Sequence, residues 1–344
     1  MRGMIGSRPK YSVKTIALCF FIALPFFHLY AHGWRGLVIN PRQHIVLRFA
    51  ALPPATRGII WALVGIFLFT LLGALVKVLG ARLDSFQIAF FRSFGAFVVL
   101  LPVALITGLR QAFYTQRIGR HLSRSLTGVT AIACGFYALV HLPLADVTAL
   151  GFTKPLFLVP LAALLLGETV RWRRTLAILV GFCGVLIMAR PGQSGFDPTL
   201  GIALADAFIS TFSAIHVKKL AETERPLTMV IYLSLFASIF LSIPAVVFWQ
   251  APTGEEYVLL GAIGLLGALG QACIVCAYKT GEATAITSLE YAKLPLAVFL
   301  GWIMFAELPD LWSLCGAIII IGSTCYIAYR EAQLGKRRPP TLTT

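Results

Sequence analysis

The sequence predicts an all-α integral membrane protein of ten transmembrane helices in two inverted five-helix repeats, preceded by an N-terminal hydrophobic segment whose placement stays open. Three observations predict it. First, the 344-residue chain is 58% hydrophobic and only 12% charged, with a mean hydropathy of +0.84. Ordinary soluble domains are about 45–50% apolar and about 25% charged, so apolar surface on this scale calls for a bilayer. Second, much of the stretch 126–168 recurs 139 positions later without a gap. Leu126 becomes Leu265, Gly128 becomes Gly267, Ala133-Cys134 becomes Ala272-Cys273, Lys154 becomes Lys293 and Glu168 becomes Glu307. Third, the cations between apolar runs alternate between rich and poor breaks.

Taken in order, the apolar runs fall at 58–79, 86–107, 125–142, 147–167, 174–190, 199–217, 228–248, 257–278, 284–306 and 311–329. Most are near the ~20 residues that cross about 30 Å of hydrocarbon. The breaks are short and carry turn residues, such as Arg190-Pro191-Gly192. Arg110, Arg117, Arg120 and Arg124 follow the second run, and Arg171, Arg173 and Arg174 the fourth. Lys218, Lys219 and Arg225 follow the sixth, Lys279 the eighth, and Arg330, Lys336, Arg337 and Arg338 the tenth. The remaining breaks hold Arg82, Arg190 or no cation. The positive-inside rule therefore places both ends of the bundle in the cytoplasm. Five spans per repeat, an odd number, then require the second copy to be inserted upside down, as in secondary transporters.

The organisation expected is an extension over 1–57, a first repeat over 58–190, a second over 191–330 and a cytoplasmic tail over 331–344. Residues 15–31 are apolar but interrupted by Pro25 and His28. A signal peptide, an eleventh span, an interfacial helix and a dispensable extension all remain open for them. The formal net charge of +15 would suit nucleic acid only if the cations shared one face; they lie in the breaks, and no nucleic-acid partner is expected. All seven cysteines lie in apolar segments. The lone Cys273-x-x-Cys276 reads as packing rather than metal or redox chemistry, because no second pair or histidine accompanies it. No P-loop, H-E-x-x-H or G-x-S-x-G elbow occurs, which argues against an ATP-driven pump and a soluble-type hydrolase.

Lys154 and Lys293 are the leading candidate site residues. A lysine near a helix centre costs about 2.5–3.5 kcal/mol on insertion scales and normally faces a bundle interior or aqueous cavity. Snorkelling to a headgroup is the structural alternative, and both sit roughly 10–14 Å of rise from a span end, deep for that role. Pro155 and Pro160 accompany Lys154, and Pro295 follows Lys293. Prolines free backbone carbonyls, which is tolerated at membrane depth beside a cavity or a compensating neighbour. Glu290 lies one turn before Lys293 and could pair with it. Arg92 and Tyr291 are further substrate-binding candidates, with outward snorkelling equally open for Arg92, and the second copy places Leu233 where the first has Arg92. Asp206 and Glu290 are the acids best placed for proton coupling, with Asp146 at a span edge. Glu168 and Glu307 are expected to begin the following helices as polar caps. Gly261, Gly264, Gly267 and Gly270 form a stripe suited to close helix packing.

The halves end in PLFLVPLAALLLGETVRWRRTLAILVGFCGVLIMARPG and YAKLPLAVFLGWIMFAELPDLWSLCGAIIIIGSTCYIAYRE. This pattern over about 58–330, with Gly167-Glu168, Ala306-Glu307, the Phe90–Arg92 triplet and Lys77, resembles the EamA family of the drug/metabolite transporter superfamily. The second repeat has Ala306 where the family usually has glycine, a departure expected to matter little. The resemblance implies a multi-pass inner-membrane protein with no enzymatic activity and no cofactor. It implies secondary transport of a small metabolite by alternating access, through proton coupling or exchange. An amino-acid-like or other carboxylate or zwitterionic substrate is expected. The alternatives are uptake of a vitamin or nucleoside-like compound, of riboflavin or S-adenosylmethionine type, and flipping of a lipid-linked sugar. The partners expected are a small-molecule substrate and the lipid bilayer, and a homodimer is one assembly the sequence admits.

Overall fold

The computed structural model describes residues 52–166, 172–189, 197–221, 223–280 and 289–336. The extension through residue 51, with Cys19, and Glu168 lie outside them. The described chain is helical: α1 (Pro54–Gly80), α2 (Ser85–Thr107), the short α3 (Leu109–Phe113), α4 (Ile118–His141), α5 (Leu144–Gly151), α6 (Lys154–Leu166) and α7 (Trp172–Ala189). α8 (Pro198–Ala221), α9 (Pro226–Val247), α10 (Gly254–Thr280), a 3-10 turn (Glu290–Ala292), α11 (Lys293–Phe305) and α12 (Leu311–Lys336) follow.

Local sequence sets several boundaries. α1 and α9 open on proline near the first helical position, where a missing N–H costs nothing. Asp84 caps α2, its carboxylate accepting the Phe86 N–H at 2.8 Å. Asp310 caps α12 in the same way, accepting the Ser313 N–H at 2.8 Å. This corrects the expectation for Glu307. Asp310 directly precedes α12 and takes the cap, while Glu307 turns back to bind Lys77 on α1.

Six helices among the described residues (α1, α2, α4, α8, α9 and α10) are long and apolar enough to cross a bilayer, and α7 and α12 carry shorter apolar stretches. Large apolar side chains face outward on several of them, including Leu179, Ile243, Val247 and Ile318. Such faces are disfavoured in water and suit acyl chains. The fourth and ninth apolar runs are each broken rather than continuous. α5 and α6 are separated at Phe152-Thr153, where the Thr153 hydroxyl donates to the Leu150 carbonyl at 2.6 Å. Pro155 has no N–H to carry the ladder across that break. In the second half the 3-10 turn directly precedes α11, with Pro295 in the first turn.

Helix pairing follows the repeat. α1 packs on α10 and α8 on α4; α2 packs on α9 and α7 on α12; α1 meets α11 as α8 meets α6. Each pairing maps onto another, or onto itself, when the first five runs are exchanged for the second five. Side chains obey the same exchange. A Cβ on Gly267 would meet Arg92 and Leu72, and one on Gly128 would meet Leu233 and Ser213. This is the Arg92–Leu233 correspondence read from the sequence.

The connections gather at two ends. At one end Arg82, after α1, binds Glu256 and the Ala251 carbonyl before and at the start of α10. There Gln87 and the Gln250 backbone also exchange two hydrogen bonds of 2.8 and 3.1 Å. At the other end Thr115 donates to Glu224, Arg225 to Gln111, and the Tyr232 hydroxyl to the Phe113 carbonyl. The first connection of one half thus meets the second connection of the other. Parallel halves would bring first to first; this arrangement is the one expected of inverted halves. The break that carries Arg110, Arg117 and Arg120 meets Arg225 at this second end.

The glycine stripe of α10 seats α1 and α2. Gly264 lies so close to Gly95 of α2 that a Cβ on either would stand 2.7–2.8 Å from the other's Cα. Gly270 sits against the Phe69 ring, whereas Gly261 has open space. Of the C-x-x-C pair, both free thiols, Cys273 is buried and packs toward Gly65 of α1. Ala306 adopts φ 55°, ψ 26° at the end of α11. This corrects the expectation that alanine there matters little, since a left-handed backbone costs a non-glycine residue about 1–2 kcal/mol.

Two stability outcomes follow. Gly95→Ala and Gly264→Ala should each lower the unfolding midpoint in detergent, by an amount corresponding to about 1–3 kcal/mol of overpacking, while Gly261→Ala, with open space at its Cβ, should raise it slightly, by the equivalent of about 0.5–1 kcal/mol. Ala306→Gly should raise the midpoint, with a gain of up to about 1 kcal/mol once glycine's unfolded-state entropy is counted. Thermal unfolding of the four purified variants beside the parent checks both.

Candidate functional site

The two broken spans deliver the site. Lys154 is the first residue of α6 and Lys293 the first residue of α11, each directly after an interruption of its span. The backbone stays largely paired through both interruptions: the Lys293 N–H donates to the Glu290 carbonyl, and the Thr153 N–H to the Leu150 carbonyl. What needs compensation at each position is the lysine ammonium itself, set in an apolar run.

Acids from both halves supply part of the compensation. Lys154 and Glu290 both act electrostatically on Lys293, as does Asp206 of α8; Glu290 in turn feels both lysines. The four charges, two of each sign, therefore form one group drawn from α6, α8, the 3-10 turn and α11. Surface and depth differ for its members. Glu290 and Lys154 are solvent-accessible and Lys293 is part-accessible, yet Lys293 and Glu290 lie deep among protein atoms.

Neighbouring side chains hold the group in place. The Ser210 hydroxyl donates to Asp206 Oδ1 at 2.9 Å, one turn along α8. Gly135 of α4 admits the carboxylate, since a Cβ there would stand 3.2 Å from Oδ2 and 3.3 Å from Cγ. The Thr211 hydroxyl, buried on α8, donates to the Ala207 carbonyl at 2.9 Å and reaches the Lys154 carbonyl at 3.4 Å. Tyr291 donates from its hydroxyl to Thr324 Oγ1 at 3.0 Å, and its ring lies 5.1 Å from that of Phe152. It therefore ties the 3-10 turn to α12 and to the break before α6.

Arg92 is placed differently. Its side chain runs along Gly267 in the α2–α10 contact, and its Nε has no hydrogen-bond partner among the described residues. It is not among the charges that act on Lys293 or Glu290. Asp146, in the first turn of α5, is likewise not among the charges that act on Lys293 or Glu290. Sequence reasoning passed over Ser210, Gly135 and Thr211. Ser210 had a usable signal, lying four residues beyond Asp206 on the same helix face; the other two depend on packing between distant segments. Among the described residues no cluster of histidine, cysteine and acids could hold a metal ion.

Comparison with known proteins places this geometry in context. A family model, the EamA-like transporter family, matches residues 56–190 and again 198–329. The chain is 32% identical over 282 residues to the S-adenosylmethionine uptake transporter of Rickettsia prowazekii (strain Madrid E), covering 82% of this chain and 95% of that protein. It is 33% identical over 287 residues to the riboflavin transporter of Vibrio cholerae, covering 82% and 96%. It is 29% identical over 269 residues to the pseudopaline exporter CntI of Pseudomonas aeruginosa, covering 77% and 93%. A solved crystal structure aligns with a TM-score of 0.58 at 19% identity, over 83% of this chain and 99% of that one, a likeness of fold.

Proposed function

The chain belongs to the EamA-like transporter family, and on that premise we propose that it carries a zwitterionic, amino-acid-bearing metabolite by alternating access about the Lys154–Lys293 site. It is a multi-pass transporter of the plasma membrane that moves a small molecule, and not an enzyme. The observation that carries the finer reading is the balance of charge. Two lysines and two acids converge, so a ligand bearing both a carboxylate and an ammonium meets a partner for each. A simple anion would leave Asp206 or Glu290 opposed.

The ten-span topology belongs to the same proposal. Six long apolar helices, the shorter α7 and α12, and the two broken spans make ten, and both bundle ends then lie in the cytoplasm by the charge rule. With the repeat relating Lys154 to Lys293, inversion puts one lysine nearer each mouth. A substrate carboxylate could pass from one to the other as the halves rock. Asp206 and Glu290 are the proposed coupling acids. A buried carboxylate exposed alternately to the two sides can carry a proton between them.

Of the compounds named for these relatives, S-adenosylmethionine matches the charge pattern, whereas riboflavin, named for the Vibrio protein, has no amino-acid head. S-adenosylmethionine, which the Rickettsia protein takes up by name, bears an amino-acid head as well as a further cation and an adenine ring. Uptake of labelled S-adenosylmethionine, riboflavin and amino acids into vesicles holding the protein tests the reading. Movement of one or more amino-acid-bearing compounds is expected. Movement of riboflavin alone would contradict it. Lys154→Met and Lys293→Met should each weaken apparent affinity about tenfold to a hundredfold, the equivalent of one charged hydrogen bond, in protein that still folds. Asp206→Asn or Glu290→Gln should remove the dependence of uptake on an imposed pH gradient. Full retention of that dependence in both variants would exclude these acids as coupling groups.

A further inference from the structure

Lys77 is the last charged residue of α1, in its final turn. Its ammonium lies 2.6 Å from Glu307 Oε1 and donates to Oε2 at 2.8 Å and to the Leu142 carbonyl at 2.7 Å. The Phe305 ring covers it at 5.3 Å. Two of its protons thus go to Glu307 and to the Leu142 carbonyl. Among the described residues these partners come from two segments. Leu142 joins α4 to the broken span that holds Lys154; Phe305 and Glu307 end the helix that Lys293 begins. One side chain on α1 therefore grips both lysine-bearing spans at the same end of the bundle.

Beneath this pair lies an apolar plug. Ala74, Leu144 and Ala297 are buried together, with Leu139, Leu300, Met304 and Phe305 packed around them. Ala297 stands one turn beyond Lys293 on α11, so the plug separates the ion pair from the charged site. The pair is not sealed in protein: the Lys77 side chain is 11% exposed and that of Glu307 30%. Water reaches the carboxylate, and a partly hydrated ion pair can separate where a dry one would resist. Ala306 in its left-handed conformation reverses the chain so that the Glu307 N–H closes on the Gly301 carbonyl at 3.1 Å, which aims the carboxylate back at α1.

We propose that Lys77 and Glu307 form a gate latch, holding the mouth at this end shut over the Ala74–Leu144–Ala297 plug and separating when the site opens to this side. The proposal rests on the transport reading and adds to it the device that closes one mouth. Loops poor in cations gather at this end, so the charge rule makes it the outer mouth. The sequence also repeats the residue types: the 141-residue step that carries Arg92 to Leu233 carries Lys77 to Lys218, and the 139-residue step carries Glu168 to Glu307.

The test reads access and needs no substrate. Ala297→Cys is introduced into the full chain, and its reaction with a membrane-impermeant maleimide is followed in right-side-out and everted vesicles by mass spectrometry of the labelled peptide. With the latch intact, labelling from the outer face should be slow. Glu307→Gln should speed it at least tenfold. So should the double change Lys77→Met with Glu307→Met, which removes both charges and strands neither, so that it folds even where a single change does not. Labelling at the parent rate in the double variant would overturn the latch, and acceleration confined to everted vesicles would overturn its placement at the outer mouth. Failure of every transport assay with accelerated labelling would count against the substrate reading and leave the latch standing.

Discussion

Two ammonium groups set in apolar runs, Lys154 and Lys293, are tolerable only where water or opposite charge reaches them. Much of the arrangement around the site answers that requirement. Glu290 precedes Lys293 in the 3-10 turn, and Asp206 comes from α8 with Ser210 fixing one carboxylate oxygen. The breaks in the spans serve the same end, because irregular backbone at membrane depth is allowed only where it borders a cavity or is satisfied by neighbours. At the first break Thr153 covers the Leu150 carbonyl.

The repeat imposes a second constraint. Exchange of the halves maps helix pairings onto one another, and the Gly128 and Gly267 contacts match residue for residue. Two packings related in this way differ little in energy, which is the condition for a bistable element. Departures from the symmetry are then informative. Arg92 opposite Leu233 puts a guanidinium in one helix contact and an apolar side chain in its counterpart, so the two halves are not equivalent there.

Much of this was legible in the chain. Composition and run lengths gave a helical membrane protein, and the 139-residue offset joined Lys154 to Lys293 before any geometry. Asp206 and Glu290 stood out because acids are rare in apolar runs. Less visible was what depends on local hydrogen bonding. Hydropathy reads 147–167 as one run because the Phe152-Thr153 break changes no polarity; only Pro155 hinted at it. The role of Glu307 was misread as a cap because its partner, Lys77, is 230 residues away in sequence. The cost of alanine at 306 depends on a left-handed φ that composition does not report.

The central claim is that one lysine from each half faces a single cavity, and it can be measured without knowing the cargo. In the Lys154→Cys, Lys293→Cys double variant, a short homobifunctional thiol reagent should bridge the two introduced cysteines in folded protein, giving a cross-linked peptide pair by mass spectrometry. Prior denaturation should abolish that pair. Efficient modification of both positions with no bridge between them would place the lysines in separate environments and contradict the account.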